Sequence, residues 1–194
     1  MFNKGIDMQK TNQRSIKVPW PFRGRLPARQ HGASLLEAIS YLGIAAIVVI
    51  GAVALLSSAF SSASTNSVDE QVSAIQSGVK KLYMGQAASY TGLTNSVLAS
   101  AGVFPSSLSA ASGTGVITNT WNGTIDVAVA SSANEFTITY TEVPQSVCVN
   151  SVTAGGSWVS VAVNGTSYTT MPVSPADAST ACSGTTNTII WTST

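Results

Sequence analysis

One stretch limits what the rest of the chain can be: residues 38–56, AISYLGIAAIVVIGAVALL, run for 19 residues without a charged side chain. At about 1.5 Å per residue such a run makes a helix of roughly 28 Å, close to the hydrocarbon thickness of a bilayer. A helix that is apolar on all sides must be covered by lipid or by other protein. A single carboxylate, Glu37, stands at its entrance, five residues after Gly32.

Charge divides the chain at the same place. Residues 1–32 hold seven basic side chains, Lys4, Lys10, Arg14, Lys17, Arg23, Arg25 and Arg29, against Asp7, a net +6. Beyond them only Lys80 and Lys81 oppose seven acids, Glu37, Asp69, Glu70, Asp126, Glu135, Glu142 and Asp177, a net −5. A basic segment ahead of a single apolar span stays in the cytoplasm and sends the C-terminal part across the membrane. The basic residues therefore speak for topology, and no direct nucleic-acid binding is expected. Cys148 and Cys182 both lie on the exported side, where thiols can oxidise.

The prolines and glycine of VPWPFRGRLP, residues 18–27, forbid a long helix in the leader, which reads as unfolded. From Ser34 onward the pattern predicts one helix of roughly 50 residues, hydrophobic all round in its first half and striped in its second. Val68, Val72, Ile75, Val79 and Leu82 are spaced to share one face. Asp69 and Glu70 near the start of the stripe, and Lys80 and Lys81 near its end, suit the helix dipole, and Gly85 is the expected stop. The Ser-rich residues 57–67 are its weakest part.

A small domain follows, rich in Ser, Thr, Gly, Val and Ala, a usage suited to an exported β-rich domain stabilised partly by a disulfide. Leu93, Val97, Leu98 and Ala101 fit a short helix closed by Gly102 and Pro105. TIDVAVA (124–130) and EFTITYTEV (135–143) alternate with period two, placing Ile125, Val127 and Val129, then Phe136, Ile138 and Tyr140, on one face. Asn164-Gly165 between SWVSVAV and TSYTTM signals a hairpin with a type I′ turn. SPADASTAC (174–182) reads as a short helix with Ser174 as N-cap, Pro175 at its first position and Asp177 facing back as in a capping box. NTIIW (187–191) reads as a last strand. Around Cys148, VPQSVCVNSV fits either a strand, by its valines, or a helix opened by Pro144.

Little chemistry is available to this domain. Removing residues 1–32 removes His31, the sole histidine, and every arginine. No imidazole then remains to activate a Ser or Cys nucleophile or to ligate a metal. The carboxylates are scattered singly, and neither a phosphate-cradling Gly-Lys loop nor a CxxC is present. The chain reads as a non-enzyme without cofactor or metal. Asn122-Gly-Thr124 and Asn164-Gly-Thr166 read as turn chemistry.

The basic leader ending in Gly32, followed by Ala33-Ser34-Leu35-Leu36-Glu37 and an apolar helix, resembles the processing site of type IV pilins. There a membrane aspartyl peptidase cuts after the glycine and methylates the new N-terminus. A leader of about 30 residues, a first mature residue other than phenylalanine, LYMGQAASYTGL after the long helix, TNTWNGTIDV before a strand and a C-terminal cysteine pair are similar to the type IVb subclass. That subclass includes bundlin, the toxin-coregulated pilin and the pilins of conjugative thin pili.

The resemblance implies an α+β type IV pilin fold, with the long helix packed on an antiparallel sheet flanked by short helices. It implies four parts: a leader over 1–32, a membrane and assembly helix over 33–56, the amphipathic half over 57–85 and a globular head over 86–194. Gly32 would end the leader, Ala33 would be the methylated N-terminus, Glu37 the acid required for assembly, and Cys148 and Cys182 a disulfide pair. The implied partners are further copies of the chain in a helical filament, the prepilin peptidase and the inner-membrane assembly machinery. The precursor would span the inner membrane with its N-terminus in the cytoplasm and end in an extracellular pilus, serving adhesion, aggregation or a related surface function such as DNA uptake through the whole filament. A secretion pseudopilin or minor pilin, an adhesin secreted after an ordinary signal is cut within residues 57–63, and an adhesin held by a plain single-pass anchor stand as the alternatives.

Overall fold

The computed structural model describes residues 34–86, 89–110 and 115–194. The leader, Gly32 and Ala33 lie outside them. The described residues divide into two units, one ending at Ala45 and the other spanning Ala46–Thr194. The predicted long helix, α1, runs over Leu35–Tyr83, and Gly85 follows with φ +97°. Every residue over 34–60 is exposed. In the second unit the predicted stripe is buried: Val68, Val72, Ile75 and Val79 enter the core, joined by Thr65 and Gln71. Leu82, expected on the same stripe, is 39% exposed, and Tyr83, four residues after Val79, packs against the core in its place.

Helix α2 follows at Asn95–Ser100, where the Thr94 hydroxyl accepts from the Val97 N–H at 3.3 Å and Leu98 is buried. It occupies the predicted position. Two strands that no sequence pattern announced come next, β1 at Ser109–Ala110 and β2 at Ile117–Thr118. Two residues each show no periodicity to detect. Strands β3 (Thr124–Val129) and β4 (Phe136–Pro144) pair antiparallel, and Ile125, Val127, Phe136, Ile138 and Tyr140 face the core as their alternation requires.

The ambiguous stretch around Cys148 is helical, α3 at Gln145–Thr153. Its buried residues, Val147, Cys148, Ser151 and Val152, repeat at helical rather than strand spacing. Strands β5 (Ser160–Val163) and β6 (Thr166–Tyr168) form the expected hairpin, with Val163 opposite Thr166. Asn164 at φ +49° and Gly165 at φ +89° supply the two positive angles a type I′ turn needs. Helix α4 spans Pro175–Ala181 and β7 spans Thr186–Ser193. Ser174 Oγ caps α4 by accepting from the Asp177 N–H, and it also donates to Asp177 Oδ2 at 2.7 Å. The carboxylate thus bonds the cap's hydroxyl rather than its backbone N–H.

The seven strands form one antiparallel sheet in the order β1-β2-β3-β4-β7-β5-β6. Its inner face meets the stripe of α1. Tyr140 OH donates to Gln71 Oε1 at 3.4 Å, and Gln76 Nε2 donates to Ser193 Oγ at 2.8 Å. Burial pushes the Tyr140 phenol well above its usual range. The register of β4 against β7 shifts between Tyr140 and Val143, where Glu142 takes φ +58°. This bulge lets the chain turn into α3.

The TNTWNGTIDV segment is held by a buried asparagine. Asn119 Oδ1 accepts from Trp121 N at 3.0 Å and Gly123 N at 2.9 Å, while its Nδ2 donates to the Thr141 carbonyl at 2.8 Å. Gly123 passes so close to that carbonyl that a Cβ would collide with it. A side chain is excluded there by contact, not by backbone angle.

Candidate functional site

Helix α1 begins with a local arrangement that the sequence already spelled. Ser34-x-x-Glu37 is a capping pattern, and Ser34 Oγ accepts from the Glu37 N–H at 3.2 Å. An acid in the first turn also favours the helix dipole. The Glu37 carboxylate accepts from Tyr41 OH, one turn onward, at 3.3 Å. Sequence reasoning missed both the capping pattern and Tyr41, although a polar tip four residues after a carboxylate is the expected helical spacing. Glu37 is exposed.

Beyond Glu37 the helix presents an apolar surface that none of the described residues covers. In the first unit Leu35 is 81% exposed, and Ile39, Leu42 and Ile44 are likewise open; in the second, Ile47 is 74% exposed, with Val48, Ile50, Val53, Leu55 and Phe60. Scattered apolar residues are ordinary on a surface, but a continuous patch of this extent marks a contact with lipid or protein. Among the described residues α1 is the one helix long and apolar enough to cross a membrane.

The structure brings Cys148 and Cys182 together as a disulfide with a Cα–Cα separation of 5.9 Å. Both are fully buried, one inside α3 and the other at the end of α4. The bridged segment therefore contains the β5-β6 hairpin, whose turn is tied to α4 and β7 by Asn164. Its Nδ2 donates to the Ala181 carbonyl at 2.9 Å and to Asn187 Oδ1 at 2.8 Å. The asparagine of Asn164-Gly-Thr166 thus has its amide engaged in holding the turn.

A surface cavity of about 190 Å³, which sequence reasoning missed, lies between α1 and the far end of α3. Asp69, Val72, Ser73, Ser151, Trp158 and Trp191 line it. Burial raises the Asp69 carboxyl above the usual aspartate value, and the nearby Ser151 hydroxyl partly opposes this. No hydrogen bond of standard geometry joins the two, and Ser151 Oγ is buried without a partner. The contributing residues are up to 122 positions apart, from Asp69 to Trp191, so no local motif announces the cavity.

Comparisons agree with this architecture. A family model described as PilS N terminal matches residues 62–194. Among solved structures, a crystal structure of type IV b pilin from Salmonella typhi is 25% identical, with a TM-score of 0.52, covering 64% of this chain and 94% of that one. Comparison with curated protein sequences finds no match.

Proposed function

The chain belongs to the type IVb pilins, structural subunits rather than enzymes, and on that premise we propose that it is the major subunit of a type IVb pilus. The precursor waits in the inner membrane, is cut between Gly32 and Ala33, and polymerises into an extracellular filament used for adhesion or aggregation. One observation carries this reading. A folded head with its own core is joined to an apolar helical surface, over 34–60, that none of the described residues covers. In the precursor lipid covers it; in the filament the same surfaces of neighbouring copies cover one another in a heterologous, non-closing assembly.

Glu37 gives that assembly its register. The cut creates an ammonium at Ala33, and the Glu37 carboxylate of one copy neutralises the N-terminus of the next. An unpaired charge inside a helix bundle costs several kcal/mol, so the register that pairs the two is favoured over slipped ones. Tyr41 OH holds the carboxylate in the isolated chain and competes weakly with this exchange, because a neutral hydroxyl is a poorer partner than an ammonium. Intact-mass measurement of the mature protein tests the processing step. Residues 33–194, which number 162, plus one methyl group are expected. A chain starting within residues 58–64 would establish an ordinary signal peptide.

A further inference from the structure

The Asp69 cavity is a site that lacks its complement. It sets a half-buried carboxylate beside the Ser151 hydroxyl, which is 3% exposed, lies close enough to Asp69 to influence it, and has no hydrogen-bond partner of standard geometry among the described residues. Two indoles, Trp158 and Trp191, complete the wall, with ring centroids 6.4 Å apart. No basic residue lines it. A carboxylate and a hydroxyl acceptor next to aromatic rings form the donor-seeking surroundings that suit an ammonium, which gains an ion pair, a hydrogen bond and cation–π attraction together. Trp191 is only 3% exposed and is flanked by Tyr140 and Trp158, so the partly exposed ring of Trp158 is the one an ammonium can approach.

The exported part of the chain offers few ammonium groups. Beyond residue 32 the sole basic side chains are Lys80 and Lys81, both exposed at the end of α1. They cannot reach the Asp69 of their own chain. Eleven and twelve residues along a helix are about 16 to 18 Å, farther than the two side chains can span. A neighbouring copy displaced along the helix axis by that distance brings them level with the cavity.

We propose that the Asp69 cavity receives the ammonium of Lys80 or Lys81 from a second copy of this chain. This rests on the filament reading above, and it adds a contact between heads to the contact between apolar helices. It also assigns the two lysines a role in a head that otherwise carries only acids.

The test is zero-length carbodiimide cross-linking of wild-type filaments and of the detergent-solubilised monomer, read by peptide mass spectrometry, together with a charge exchange. An Asp69–Lys80 or Asp69–Lys81 amide is expected in filaments and not in monomers; within one chain the distance forbids it. Asp69→Lys is expected to lower filament yield by about tenfold or more, and combination with Lys80→Asp or Lys81→Asp to restore it. Glu70→Lys, at an exposed position on the same turn, is expected to change yield little. Wild-type filaments that lack the amide, joined with Asp69→Lys filaments at normal yield or with failure of both exchanges, would overturn the proposal and leave the pilin reading intact. Failure of the wild-type chain to form filaments would overturn both.

Discussion

Residues 35–60 of α1 leave every side chain exposed, whereas further along the same helix Val68, Val72, Ile75 and Val79 are at most 2% exposed. The aliphatic side chains are alike in the two stretches; their arrangement differs. In the second stretch the apolar residues recur every three or four positions and polar residues fill the remaining face, so one side of the helix finishes a core and the other meets water. In the first, apolar residues point in all directions and no charge interrupts them after Glu37. A periodic stripe shows that a helix is completed by its own chain, and an unbroken apolar surface shows that it is completed by something else.

Substitutions on the two sides of this divide should act on different properties. The largest effect is expected in the self-sufficient part. The Cys148–Cys182 bridge closes a loop with a sequence separation of 34, for which chain entropy gives about 4 kcal/mol. Replacing both cysteines by serine is therefore expected to lower denaturation stability by about that amount. Ile75→Ala, which empties a fully buried position, is expected to cost about 3 kcal/mol. Ile47→Ala, at a 74% exposed position, is expected to leave head stability unchanged and to reduce filament yield instead. Equal effects of the two alanines on thermal unfolding would erase the distinction. Gly123→Ala, forced against the Thr141 carbonyl, is expected to cost about 2 kcal/mol by the same measurement.

The smallest effect concerns Asp69. Burial raises its native pKa above the ordinary value of 3.8, so between those two values the native state binds more protons than the unfolded one. Head stability should therefore fall slightly as pH rises through that window. Asp69→Asn is expected to remove this slope in denaturant titrations over a pH series.

Much of this division was legible in the sequence. The stripe of α1, the alternation of β3 and β4, the Asn164-Gly165 turn and the Ser174-Pro175 start of α4 each rest on short-range chemistry, and each recurs in the structure. The α3 segment stayed ambiguous because Val147 and Val149 alternate as in a strand while Val147, Cys148, Ser151 and Val152 repeat as in a helix. Long-range packing, including burial of Cys148 against Cys182, selected the helix. The β1 and β2 pairing, the bulge at Glu142 and the Asp69 cavity depend on residues distant in sequence, for which no local pattern exists. Ser34-x-x-Glu37 was a local signal, overshadowed by the charge of Glu37.

If the exposed half of α1 is an assembly surface, Glu37 is the residue that sets its register. Electron microscopy of cells producing Glu37→Gln, with subunit and processing levels measured alongside, is the decisive experiment. The substitution keeps the side chain's size and removes only its charge. Wild-type amounts of membrane-inserted, processed subunit with filaments absent or sharply reduced are expected; normal filaments at normal subunit levels would contradict the account.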